Sequence, residues 1–402
     1  MNRRDFLRAS AGIVLLPAAK ADEKQTIKIV SSLPRQGAAK GQTDGIVNGI
    51  ALAVERYKGI LPFEVKYLDL DDATATDAMW TAVREEENAR AAVRDDEVMA
   101  LIGPYNSGAA KVSAPVLNKA GLVQISPATT WPGLTKKTDE TAPGEPDVYR
   151  PSGKVTYCRV CPTDDVQGSI TAAFAAKDLK VKSVYVLDDR EGYGKMVARL
   201  FAAECKKRGI KVLGQESLDL RQPSFNVPVA KAMKTEPDAV YFGGTTQSGG
   251  PQLAKDFAAA GMKCPLFVPD GCYEEAFITA AGAENLNVRC FVSCGGFDPS
   301  KLNERGVAFV KQYKARFKHE PQHYAFYAFD AAAAVLEAIK TVGKRDREAV
   351  RKAVLATKDF DKGVLDRWGF DENGDTTLQQ ATILKIEKGK FTPVKVLTAG
   401  KE

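Results

Sequence analysis

Hydrophobic positions early in the chain alternate between two periods. Ile27, Ile29 and Leu33, with polar residues between them, predict a strand, and Ile46, Ile50 and Val54 then recur every four residues, one face of a helix over Asp44–Tyr57. The rhythm repeats with a strand at Phe63–Leu70, a helix at Ala78–Val93, a strand at Val98–Gly103, a helix at Ser107–Ala120 and a strand at Leu122–Ser126. It breaks over Thr135–Lys154, which is polar and carries Pro143, Pro146 and Pro151, a loop near a lobe boundary. A second series begins at Val155. Its strands are Ser183–Asp188, Val212–Leu218, Ala239–Gly243 and Leu266–Pro269, and its helices are Tyr193–Arg208, Phe225–Lys234, Gly249–Gly261 and Glu274–Gly282. Arg289–Gly295 then precedes two long helices, Lys301–Lys318 and His323–Val342, and the C-terminal part predicts strand, turn and strand at Val364–Phe370, 371–374 and Gln380–Glu387.

Strand–helix alternation of this kind implies parallel sheets made of right-handed βαβ units. The expected fold is α/β: two Rossmann-like lobes with parallel sheets joined by a hinge. Lobe one takes 25–155 plus 297–360, and lobe two takes 156–296 plus 361–396, later segments returning to complete each.

Composition adds little to this. Hydrophobic residues make up 44% and charged residues 27% of 402, an ordinary globular balance. Three units of the +6 formal charge belong to the first 21 residues, and the remainder holds no dense Lys/Arg run, so no nucleic-acid partner is expected. Those 21 residues are informative. Arg3, Arg4 and Arg8 precede an apolar stretch from Ala9 to Leu16 and a small-x-small site at Ala19-Lys20-Ala21. This is the order of a cleavable export signal, and the apolar run is far below the roughly 20 residues a membrane span needs. The paired arginines followed by Phe6-Leu7 resemble a twin-arginine signal. A periplasmic location follows as an expectation.

Seven cysteines (158, 161, 205, 264, 272, 290 and 294) accompany only two histidines, His319 and His323. Cys158-x-x-Cys161 has the spacing of a redox or zinc half-site, but no histidine lies near it in sequence. A structural disulfide or buried thiols are expected instead, with no metal and no cofactor. The scarcity of histidine, with no nucleophile–base motif, Walker loop or dinucleotide fingerprint, argues against an enzyme.

What remains are the strand ends, where open α/β sheets bind ligands. Four of them carry small hydroxyl and glycine residues: Gly103–Gly108, Ser126–Pro132, Asp188–Gly194, and Gly243–Gln247 with Pro269–Gly271. Ser107 can cap the following helix and offer its hydroxyl and the next N–H groups to a carboxylate. The kinked backbone after Ser126 leaves N–H and C=O groups for a ligand.

These segments, with Asp164-Asp165-Val166-Gln167-Gly168 and the terminal Gly369–Asp375, resemble in order and spacing the leucine/isoleucine/valine-binding family of type I periplasmic binding proteins. The resemblance spans Lys28 to about Val394. It implies a cleft that closes on an amino acid or small carboxylate, delivered to the permease of an ABC importer. The same fold serving as a sensor of amides or amino acids is the alternative, and a monomer is expected. By the family pattern Ser107, Thr130 and the backbone of Ala128 hold the α-carboxylate and part of the ammonium. Asp270 pairs with the ammonium, one methylene shorter than a glutamate. Tyr193 covers the ligand from lobe two, and Thr245 stands where close relatives have a tyrosine. Tyr324 or Tyr327 supplies the hinge-side aromatic. Lys40 lies near the position where relatives place an aromatic wall, and Tyr105 replaces a smaller apolar residue. Unless Lys40 points to solvent, both argue against a leucine pocket and for a polar, acidic or aromatic side chain or a carboxylate without an amine.

Overall fold

The computed structural model describes residues 25–37, 39–286, 289–296 and 301–401. The basic, apolar N-terminal stretch lies outside them. The chain opens with β1 (Thr26–Leu33), α1 (Lys40–Tyr57), β2 (Glu64–Asp71), α2 (Ala82–Arg94), β3 (Val98–Ile102), α3 (Ser107–Lys119), β4 (Val123–Ser126) and β5 (Tyr157–Arg159). These strands form a parallel sheet in the order β2-β1-β3-β4-β5. A second series follows: α4 (Asp164–Lys177), β6 (Ser183–Asp188), α5 (Gly192–Lys207), β7 (Lys211–Ser217), α6 (Asn226–Lys234), β8 (Ala239–Gly243), α7 (Gly250–Ala259), β9 (Leu266–Val268), α8 (Glu275–Ala281), α9 (Ala283–Leu286) and β10 (Cys290–Gly295). After α10 (Glu304–Phe317), α11 (His323–Val342) and α12 (Arg347–Leu355), the chain returns through β11 (Gln380–Glu387) and β12 (Lys390–Thr398). The second sheet runs β12-β11-β10-β9-β8-β6-β7 and is parallel except at the β10–β11–β12 edge. The expected two-lobed α/β class is what the chain adopts.

Each sheet has its own apolar core. β3 and β8 are buried at every position, as strands covered by helices on both faces must be. α11 is buried on every side from His323 to Leu336 and runs through the first core. It lies so close to α1 that a β-carbon on Gly49 would stand 2.3 Å from the Ala325 carbonyl oxygen. On one flank the lobes touch: Leu200 and Met196 of α5 pack with Ala110 and Ala114 of α3 and with Trp131. Arg199 pairs with Glu140 beside them at 2.8 Å.

Several local expectations change. Helix α2 begins at Ala82, not Ala78: 73–80 is a loop closed by an antiparallel bridge between Ala73 and Trp80. Tyr157–Arg159, expected in lobe two, is the fifth strand of the first sheet, because Arg159 ties it to that lobe's loops. Val364–Phe370 forms no strand. Its amides wrap a buried carboxylate instead, Val364 N and Trp368 Nε1 donating to Asp330 at 2.5 and 2.8 Å. Val364, Leu365, Trp368 and Phe370 accordingly pack in the first core. The partner of β11 is β12. The helices α4 and α12 were not anticipated, and α4 offers no polar stripe because most of its positions are buried. Among the described residues no two cysteines form a disulfide; Cys264 is half-buried and the other six are buried. Among the described residues no helix is long and apolar enough to cross a membrane, and no group of His, Cys, Asp or Glu is placed to hold a metal ion.

Candidate functional site

The carboxyl ends of both sheets face one cavity of about 430 Å3. Six of the eight expected residues line it: Tyr105, Ser107, Ala128, Thr130, Tyr193 and Thr245. Asp270 stands just behind its wall, and Lys40 does not reach it.

In lobe one Ser107 is the first residue of α3. The cap position belongs to Asn106, whose side chain makes no capping bond, so Ser107 is not the cap expected of it. Its hydroxyl instead accepts from Trp131 N at 3.3 Å, which fixes the oxygen at a helix N-terminus. The turn after β4 is more committed than its sequence suggests. Ser126 Oγ accepts from both Ala128 N (3.1 Å) and Thr129 N (2.9 Å). Arg159, fully buried, donates to the carbonyls of Thr129 and Trp131 at 3.0 and 2.8 Å, while its Nε pairs with Asp375 at 2.8 Å. The terminal Gly369–Asp375 segment thus braces the wall that carries Ala128 and Thr130. Trp131 is buried against Glu145 and does not line the cavity.

In lobe two Tyr193 lies in the first turn of α5 and its hydroxyl donates to Asp270. From the other side, Tyr324 of α11 donates to the second carboxylate oxygen at 2.8 Å. Gln167 of α4 clamps the same residue, giving its Nε2 to the carboxylate at 3.1 Å and taking Asp270 N on its Oε1 at 2.9 Å. Ser293 on β10 donates to that Oε1 at 2.8 Å. Gly271 must lack a side chain here, since a β-carbon would stand 2.9 Å from the Gly244 carbonyl oxygen and 3.0 Å from the Tyr193 ring. Burial, and secondarily the Asp270 charge, pushes both tyrosine hydroxyls well above their usual pKa, so they remain donors. Asp270 is therefore a buried carboxylate presented through two phenols. The hinge-side alternatives separate: Tyr324 lines the cavity, whereas Tyr327 donates to Gly295 O at 2.6 Å.

Thr245 and Ser248 form a small hydroxyl turn, Thr245 N donating to Ser248 Oγ at 2.9 Å. Ser248 donates in turn to Asp189, a buried carboxyl on the cavity wall. Burial pushes Asp189 up to about 7, while the Ser248 hydroxyl and Glu191 N–H act the other way.

Lys40 pairs with Asp44 at 2.6 Å and its side chain is 54% exposed; only its neighbour Ala39 lines the cavity. Asp44 also takes Arg35 at 2.6 Å, so this carboxylate draws both cations away from the site. Tyr105 does belong, its hydroxyl on Gln42 at 2.7 Å and its ring edge-on to Tyr324 at 5.7 Å. Sequence reasoning passed over Met79, Trp80 and Leu220 on the walls, and gave no role to Asp189 or Gln167 within the segments it singled out. The signal for Trp80 was present: it follows the carboxyl end of β2, a fifth strand end of the kind that yielded the others.

A family model described as "Periplasmic binding protein" matches residues 26–390. An amino acid binding protein of Pseudomonas aeruginosa is 26% identical over 300 residues, covering 74% of this chain and 75% of the relative. A Leu/Ile/Val-binding protein of Rhizobium johnstonii is 26% identical over 385 residues, 95% and 96% of the two chains. Among solved structures, a branched-chain amino acid transporter substrate-binding protein of Streptococcus pneumoniae, in complex with isoleucine, superposes with a TM-score of 0.80 at 23% identity, covering 93% of this chain and all of that one. A solute-binding protein of R. palustris in complex with benzoate gives 0.76 at 18% identity, covering 93% and 96%.

Proposed function

From the premise that this chain belongs to the periplasmic binding protein family, a family of solute-binding proteins and not of enzymes, we propose that it captures an amino acid or related small carboxylate between its lobes and hands it to an ABC importer. The observation that carries this is the convergence of Ser107 and Thr130 from one lobe with Tyr193 from the other on a single cavity, Asp270 standing behind Tyr193 as its hydrogen-bond partner. A zwitterion leaving water must exchange hydration for matched partners. The Ser107 hydroxyl at the N-terminus of α3 and the Thr130 hydroxyl after β4 suit its carboxylate, and Asp270 behind its two phenols suits its ammonium. Relatives whose names state Leu/Ile/Val binding support the amino acid, and the one holding benzoate supports the broader carboxylate class.

Because the contacts are split between lobes, the ligand biases a hinge motion, and closure excludes water and strengthens both ends of the grip. Export before cleavage after Ala21, by a twin-arginine route, completes the proposal; Arg3 and Arg4 with Phe6-Leu7 support it. Delivery needs a membrane permease as partner, and the protein acts as a monomer. Calorimetry of the mature protein against amino acids and aromatic carboxylates is expected to find one ligand per chain, with contraction in small-angle scattering on binding. No heat from any compound, together with an unchanged radius of gyration, counts decisively against capture.

A further inference from the structure

We infer that the side chain of the captured molecule is aromatic and carries no negative charge, and that Trp80 is the residue selecting it; this rests on the capture reading above. The loop 73–80 that carries Trp80 is held in several places. Ala73 and Trp80 bridge, Thr81 N donates to Asp72 O at 2.9 Å, and Asp77 N donates to Thr74 Oγ1 at 3.0 Å. The carbonyl of Ala78 sits against Gly37, where a β-carbon would stand only 1.7 Å away. At the tip the Trp80 indole lies on the first turn of α3, since a β-carbon on Gly108 would stand 2.6 Å from the ring. The indole is thus fixed beside Ser107, next to the place proposed for the carboxylate.

The neighbouring walls suit a flat apolar group. Met79 from the same loop and Leu220 from lobe two line the cavity with Trp80, and the Tyr105 ring meets Tyr324 edge-on at 88°. Aromatic pairs favour offset-stacked or edge-on geometry, and thioethers favour ring edges. A branched aliphatic group leaves those ring faces unmatched. Charge argues in the same direction. Among the described residues the cavity is lined by no lysine or arginine, and Asp77, Asp189 and Glu191 border it. An anionic side chain entering here loses hydration without gaining a cation.

The test is competition calorimetry on the mature protein with L-phenylalanine, L-tyrosine, L-tryptophan, benzoate, L-leucine, L-isoleucine, L-glutamate and L-arginine, repeated on Trp80→Ala and Trp80→Phe. An aromatic compound is expected to bind at least tenfold more tightly than leucine. Trp80→Ala is expected to weaken the aromatic compound more than tenfold and leucine less than threefold, and Trp80→Phe to retain most of the preference. Tightest binding by leucine, isoleucine, glutamate or arginine overturns the inference while capture stands. Equal losses for all ligands in Trp80→Ala overturn it too, by making the indole a structural prop. Silence from every compound removes capture and the inference together. The wild-type ranking alone decides the matter should a variant fail to fold.

Discussion

Asp270 shows what one residue contributes and what its surroundings must add. Its position after β9 places it at a strand end, but its carboxylate is aimed and hydrogen-bonded by Gln167, Tyr193 and Tyr324, which come from three separate helices. A hydrogen bond to a charged group is worth roughly 1.5–3 kcal/mol, about ten- to a hundredfold in affinity. Asp270→Asn is therefore expected to weaken an amino acid by about that factor in calorimetry and to spare a carboxylate that has no amine. Equal loss for both compounds would remove the ammonium role. Ser107, Thr130 and Thr245 were legible because small polar residues at strand ends have few other duties, and Tyr193 was legible through the family resemblance. Lys40 was not, since its direction depends on Asp44 one helical turn on, and a long flexible cation follows the nearest carboxylate.

At the scale of elements, the wall after β4 is positioned from far along the chain. Arg159 and Asp375 form a buried pair in which the guanidinium also holds the carbonyls of Thr129 and Trp131. Removing one partner of a buried pair costs about 3–5 kcal/mol, because the other charge stays buried without compensation. Arg159→Met is expected to lower the melting temperature markedly by calorimetric scanning. Adding Asp375→Leu to it should recover part of the loss; a double variant less stable than the single one would contradict the assignment. The same element scale explains where pattern reading fell short. β5 is three residues long and ends on the buried Arg159, so it has no strand signature. α4 is buried on nearly every side, and Val364–Phe370 has an apolar strand-like composition that Asp330 diverts into a wrap.

For the whole molecule, the connections between lobes matter most. The chain crosses after β5, after β10 and before β11, and the second crossing is pinned where His323 and Tyr327 both meet Gly295 O, at 3.0 and 2.6 Å. Burial lowers His323 from 6.5 to about 4, so the folded protein keeps the ring neutral where the unfolded chain protonates it. This contribution is complete above pH 6.5 and declines as pH falls toward 4, by about 3 kcal/mol in all. Melting temperatures at pH 6.5 and 4.5 should accordingly fall more for the wild type than for His323→Gln; parallel slopes would exclude this histidine as the cause. The alternation of periods alone determined the α/β class and the strand ends that carry polar groups, because these are local properties of neighbouring residues. Which side chains share the cavity was decided only in three dimensions. Trp80, Tyr105, Asp189 and Tyr324 lie far apart in sequence, and only turning the carboxyl ends of the two sheets toward one another brings them together, with Asp270 behind them.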